Sequence, residues 1–238
     1  IASVLYRGVK WIFYPTTLLA QGDSCIGSKT SINFGKYKNQ LGGFYPPNNI
    51  FIYTEFLKSL PESQLKSGVG EMFHYFVVSG EKDFIYFKNN FQNALSNFEI
   101  MNKIIIRSLL IKRSYIEKDE FDTGIRQVFN YGHSFGHAIE GLTEYTIPHG
   151  VAVSIGIDIA NYVSFKMNLI NSIVFNEIHE VVKVIYNGYS INKIDIEDLI
   201  NSLKKDKKNV GDMLGLILLK GYGRTFKELV LPDLDFKN

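Results

Sequence analysis

The sequence predicts a mainly α-helical fold preceded by a few short strands, and two observations lead to that expectation. Beyond about Tyr53, apolar residues recur at three and four residue spacing through a series of long segments. From Ile1 to about Tyr53 the chain is instead rich in Gly, Thr, Asn and Pro, with β-prone runs at Trp11 to Tyr14 and Ile50 to Tyr53. The expected division is therefore 1–53, loops and strands, and 54–238, helical.

Taken in order, Pro61 suits a first helical turn and Gly80 a C-terminal stop, so Glu62 to Ser79 is expected as a helix. Phe84 to Ser96, Phe98 to Ser114, Gly124 to Leu142, Gly150 to Met167 and Ser172 to Tyr186 follow with the same periodicity, and together they should pack as a bundle. A short helix, Ile196 to Lys204, leads into the charged run Lys204 to Lys208. Leu214 to Leu219 then reads as a strand closed by Gly221 and Gly223. The strand-like segment near the start needs neighbours to pair with, so more of the fold is expected upstream of Ile1.

Composition narrows the functional classes. The 238 residues are 45% hydrophobic, enough to bury a substantial core, and the formal net charge of +2 is too small for a general nucleic-acid surface. Anion recognition must then be local. Cys25 is the sole cysteine, which excludes an internal disulfide and a Cys-rich zinc site and fits a cytoplasmic location. Apolar stretches are interrupted, as Asp158 interrupts Val151 to Val163, so no membrane span or signal peptide is expected.

The densest chemical signal runs from Arg126 to Glu140. His133 and His137 stand four apart, which on a helix puts both imidazoles on one face, where they can grip a metal or a substrate anion. Gly132 and Gly136 beside them leave room for close approach. Two buried, hydrogen-bonded histidines are the plainer alternative. Glu71 interrupts the apolar stretch Gly70 to Val78, where an unpaired carboxylate is costly to bury. His149 opens the next helix; alone, it reads more naturally as a helix-terminal residue without a ligand. One carboxylate and two imidazoles with an open fourth position would make a catalytic zinc site. Lys29, Lys38, Lys112, Arg126, Lys207 and Lys208 could supply anion contacts, but spacing alone cannot gather them, and taken singly each reads as a solvated charge.

At this point the motifs resemble one family. Tyr6-Arg7-Gly8-Val9, Pro15 to Gln21, Asp23 to Lys29, Lys38-Asn39, Gly70-Glu71-Met72, Asn130 to Glu140, His149-Gly150 and Asp206 to Asn209 are similar to 3-dehydroquinate synthases, in the family's order and across nearly the whole chain. The resemblance implies the helical, metal-binding C-terminal domain of that fold, with the N-terminal strands left from a Rossmann-like NAD domain whose glycine-rich stretch would lie upstream of Arg7. It implies Glu71, His133 and His149 as ligands of Zn2+ or Co2+. Lys29, Asn39, Asn130, His137 and Lys207 or Lys208 match residues around the substrate phosphate, and Asp23 matches one near the metal-bound hydroxyls. Lys112 and Arg126 match the pair holding the substrate carboxylate, and Asp122 stands where the family often has Glu. Arg7 matches an arginine reaching the phosphate of a neighbouring subunit, which implies a homodimer.

The implied reaction is the cyclisation of a small sugar phosphate, 3-deoxy-arabino-heptulosonate 7-phosphate, to 3-dehydroquinate with loss of phosphate, in the shikimate route to aromatic amino acids. NAD takes and returns a hydride, and the ion polarises the hydroxyls. On this implication the isolated chain, lacking the NAD domain, should not turn over.

Three positions depart from the pattern. His74 stands where the family normally has Lys, which changes charge, reach and donor count at a substrate contact and gives His74 a candidate catalytic role. Val151 replaces a common Glu and Ser28 a common Gly, both expected to matter less. Lys112 with Arg126 favours a carboxylated substrate over those of the deoxy-inosose and valiolone synthases. Two rivals stand beside this reading: an iron-type alcohol or glycerol-phosphate dehydrogenase, which commonly has Asp in place of Glu71, and a non-catalytic paralogue.

Overall fold

The computed structural model describes residues 1–34, 37–206, 208–233 and 236, excluding the side chains of Asn33 and residues 37–40. The two β-prone runs near the start find each other: β1 (Ile12–Phe13) pairs in parallel with β4 (Asn49–Ile50). Between them lies a hairpin that the Gly- and Asn-rich composition did not reveal, β2 (Lys29–Phe34) antiparallel to β3 (Tyr37–Phe44).

Helices then dominate. They are α1 (Glu62–Ser79), α2 (Glu81–Ala94), α3 (Phe98–Ile116), α4 (His133–Leu142), α5 (His149–Lys166), α6 (Ser172–Ile185) and α7 (Ile196–Leu203). Starts are set by local chemistry. Asn97 caps α3 by accepting from the Glu99 and Ile100 amides, Asn171 accepts from Val174, and Asp195 accepts from Glu197 and Asp198. Helix α2 begins at Glu81, three residues before the expected Phe84, because acidic Glu81 and Asp83 suit a first turn while offering no apolar period to read.

The single helix expected over Gly124 to Leu142 is two elements. A 3-10 turn, Ile125–Asn130, ends at Tyr131, and α4 starts only at His133. Gly132 between them is left-handed, with φ +80°, and a Cβ there would meet Ile157 Cγ1 at 2.4 Å. The break reorients the chain just before His133.

Helix α5 is apolar on nearly every side, as a central element must be, and packs against α1, α4, α6 and β5. Its crossing with α1 is unusually tight: a Cβ on Gly70 would lie 2.2 Å from Gly150 O, and one on Gly150 would lie 1.8 Å from Ser67 O. The Gly150 amide donates to Ser67 Oγ at 2.9 Å and fixes the start of α5 against α1. On the other side, a Cβ on Gly156 would meet Gly132 O at 2.1 Å. The chain closes with a hairpin of β5 (Leu214–Leu219) and β6 (Thr225–Val230), joined through Gly221 and Gly223, both at positive φ. One hydrophobic core runs through the helices and into β5.

Candidate metal and anion site

The glycine contacts bring three helix segments to one point. Glu71 comes from the middle of α1, His133 from the first residue of α4 and His149 from the first residue of α5. Glu71 Oε1 lies 3.4 Å from His133 Nε2, and Glu71 Oε2 lies 3.3 Å from His149 Nε2. The second contact is not aligned as a hydrogen bond, so Oε2 is buried without a hydrogen-bond partner. Donor atoms bound tetrahedrally at zinc's usual 2.0–2.1 Å stand about 3.3 Å apart along each edge, the spacing seen in both contacts.

The far side of each imidazole is also held. His133 Nδ1 faces Tyr131 O at 3.3 Å, and His149 Nδ1 faces Glu140 Oε2 at 2.9 Å. In each ring the Nδ1 contact leaves Nε2 turned toward Glu71, the backing that metal-binding histidines commonly receive. Ligand atoms of Glu71, His74 and His133 lie within 4.8 Å of one another, as do those of His137, Glu140 and His149. The Glu71–His149 contact joins the two sets. Four of the five histidines thus gather around two buried carboxylates, Glu71 and Glu140, a donor set suited to a divalent cation.

The carboxylates give the site a pull on positive charge. Burial opposes charge on Glu71, but the His133 and His149 rings hold its carboxyl well below the usual range. Burial likewise works against charge on His149; Glu71, and then Glu140, overcome it and raise the imidazole to about 10. His137 is lowered, first by the protein packed around its ring and then by the two neighbouring imidazoles. Its ring centroid is 5.6 Å from both His133 and His149, yet its side chain reaches the surface. The ring is therefore held neutral, with one N–H and one lone pair to offer as hydrogen-bond donor and acceptor.

A second group of charges lies along α3 and the turn Ala20–Ser24. Lys112 is 6% exposed, so it is no solvated surface charge; its Nζ donates to Asp23 Oδ1 at 2.6 Å and to Asp23 O at 2.8 Å. Tyr75 also donates to Asp23 Oδ1. Arg126 is 4% exposed, and its guanidinium reaches only carbonyls, Glu120 O at 2.7 Å and Gly27 O at 3.5 Å. Among the described residues it has no carboxylate partner. A Cβ on Gly27 would meet Arg126 Nη2 at 2.4 Å and Lys112 Cε at 3.5 Å, so the two cations converge on this glycine. Tyr75 ties the two groups: burial first, then the charges of Asp23 and Glu71, push its hydroxyl well above its ordinary value, against a lowering by Arg126.

The other expected site residues are placed as follows. Lys29 and Asp122 form an ion pair with each other. Lys208 pairs with Asp206 at 2.7 Å, and Asp206 accepts from Ser134 Oγ on α4 at 3.1 Å, which carries Lys208 to the His137 side of the cluster. Asn130 donates to Gln127 O at 3.0 Å at the end of the 3-10 turn. Arg7 is exposed on the short turn Leu5–Arg7, and among the described residues no contact places it beside the cluster. Lys207 and the side chain of Asn39 lie outside the described residues. His74 is buried beside His133, with ring centroids 5.2 Å apart. Sequence reading assigned no role to Glu140 or Tyr75; the H-x-x-E spacing after His137 was the available signal for Glu140.

Comparisons with known proteins place this geometry. Residues 68–209 match the 3-dehydroquinate synthase C-terminal family and residues 1–67 the N-terminal one. A 3-dehydroquinate synthase of Dictyoglomus thermophilum is 37% identical over 228 residues, covering 94% of this chain and 64% of its own length. Among solved structures, 2-deoxy-scyllo-inosose synthase complexed with carbaglucose-6-phosphate, NAD+ and Co2+ superposes with a TM-score of 0.82 at 26% identity, covering 97% of this chain and 66% of that one. The 2-epi-5-epi-valiolone synthase of Streptomyces hygroscopicus subsp. jinggangensis, with NAD+ and Zn2+ bound, shares the fold with a TM-score of 0.85 at 20% identity, covering 95% and 64%. Fold and relatives together define the class, the sugar phosphate cyclases. Within it, the chain belongs to the 3-dehydroquinate synthase family. It spans just under two thirds of the length of the curated relatives it matches. No helix among the described residues is long and apolar enough to cross a membrane.

Proposed function

We propose that the chain is the metal-binding part of a 3-dehydroquinate synthase acting on 3-deoxy-arabino-heptulosonate 7-phosphate. The observation that carries the choice of substrate is Arg126, a buried guanidinium with only carbonyl partners among the described residues, converging with buried Lys112 on Gly27. A buried cation without a counter-ion is costly, and a substrate carboxylate would supply one. Substrates lacking a carboxylate leave the Arg126 guanidinium without one.

In this reading Glu71, His133 and His149 hold a divalent cation, zinc or cobalt, and Glu140 orients His149. Once bound, the ion supplies Lewis acidity to substrate hydroxyls and NAD supplies a hydride acceptor. Residues of the chain do the rest. Lys112 and Arg126 fix the carboxylate end, with Asp23 aligning Lys112. By the family resemblance Lys29, Asn39, Asn130 and one of Lys207 or Lys208 serve the phosphate end and stabilise its departing charge. His137, neutral and open at its edge, offers a hydrogen bond beside that phosphate. Asp122 releases Lys29 to substrate. NAD sits mainly on a Rossmann-like domain of which 1–53 is the last part, while 54–238 is the helical catalytic domain. Arg7 reaches the partner in a cytoplasmic homodimer.

The test joins the chain to the remaining length of the Dictyoglomus thermophilum relative and supplies heptulosonate phosphate, NAD and Zn2+ or Co2+. Phosphate release with a carbocyclic product is expected, and Arg126→Gln should lower kcat/KM by about 10- to 100-fold without changing metal content. Equal turnover of a sugar phosphate lacking the carboxylate would overturn the substrate assignment, and net accumulation of NADH without phosphate would indicate a dehydrogenase.

A further inference from the structure

His74 is 1% exposed, and both of its ring nitrogens are buried without a hydrogen-bond partner. A neutral imidazole carries one N–H and one lone pair, and leaving both unmet in the interior costs about 1–3 kcal/mol for each group. Its surroundings offer no polar relief on the aromatic side, where Tyr75 and Phe129 pack against the ring with centroids at 3.9 and 5.7 Å. Toward the metal cluster the situation is different. His74 follows Glu71 by three residues on α1, so both side chains leave the same helix face. A ring nitrogen of His74 lies within 4.8 Å of ligand atoms of both Glu71 and His133. One carboxylate and two imidazoles at that spacing already form a metal-binding set before His149 is added.

We propose that His74 is a fourth protein donor to the cation held by Glu71, His133 and His149, giving three imidazoles and one carboxylate. This rests on the metal site proposed above and deepens it. An ion so held meets substrate by expanding to five ligands, a change open to zinc and cobalt.

The test loads the full chain with Zn2+ and counts imidazoles by X-ray absorption, beside metal affinity measured against a chromophoric chelator. Wild type should show three imidazoles. His74→Phe, which suits the cage of Tyr75 and Phe129, should show two and bind at least about tenfold more weakly. Two imidazoles in wild type overturns the proposal whether or not the variant folds, as does unchanged affinity in a folded His74→Phe. The underlying site is checked separately: Glu71→Gln and His133→Ala should each lower metal affinity by about 100-fold or more, and unchanged affinity in both would overturn the Glu71–His133–His149 reading independently of His74.

Discussion

Glu140 illustrates how one residue can act through another. Its Oε2 faces Nδ1 of His149 at 2.9 Å and sets which nitrogen of that ring is turned toward Glu71. Glu140→Gln keeps the shape but removes the charge, so it should weaken metal binding by about 10- to 100-fold while leaving the fold intact, as chelator competition and circular dichroism would report. Cys25 gives a prediction remote from the metal. Burial pushes its thiol up to about 11 from an ordinary 9.0, so the native state holds a proton that the unfolded state releases between those values. Stability from this group is therefore complete below about pH 9 and is lost as pH rises toward 11, on the order of 3 kcal/mol in total. Urea titrations of wild type and Cys25→Ala across that range should converge or cross accordingly, and a thiol reagent at about pH 8 should react only after unfolding. A wild-type curve parallel to the variant's would contradict the prediction.

Elements set the site through two close helix crossings. Gly150→Ala would force a methyl into Ser67 O on α1, at the junction that presents His149 to Glu71. Overpacking of this kind costs about 1–3 kcal/mol or more, so the variant should unfold at lower urea and bind metal more weakly, the two losses arising together. A full-strength metal site in Gly150→Ala would separate the crossing from the chemistry. Much of this level was legible in the sequence: α1 was readable from Pro61 and Gly80, and β5 from its apolar run. The break at Gly132 was not, because the apolar period continues across it and only tertiary contact with Ile157 marks the turn. The β2–β3 hairpin escaped for the opposite reason. Its apolar residues are few and spread among Gly, Asn and Lys, and Ile32, Phe34 and Leu41 stay exposed, so no run of core residues marks it.

Across the whole molecule, residues far apart in sequence meet because α5 sits at the centre, with α1 and α4 on either side. The paired histidines were visible as a motif, but the burial of Lys112 and Arg126 was not, since charge alone does not show whether a side chain faces water or the interior. An ion held by three segments at once should stabilise the assembly: at a free metal concentration 100 times Kd, folding gains about 2.7 kcal/mol, and a strong chelator should reverse the rise in Tm. The most direct measurement of the central claim is equilibrium dialysis of the purified chain against Zn2+, with Glu71→Gln and His133→Ala alongside. One ion per wild-type chain is expected, with affinity reduced by about 100-fold or more in each variant; a wild type that binds no ion, or variants that bind as tightly as it does, would contradict the account.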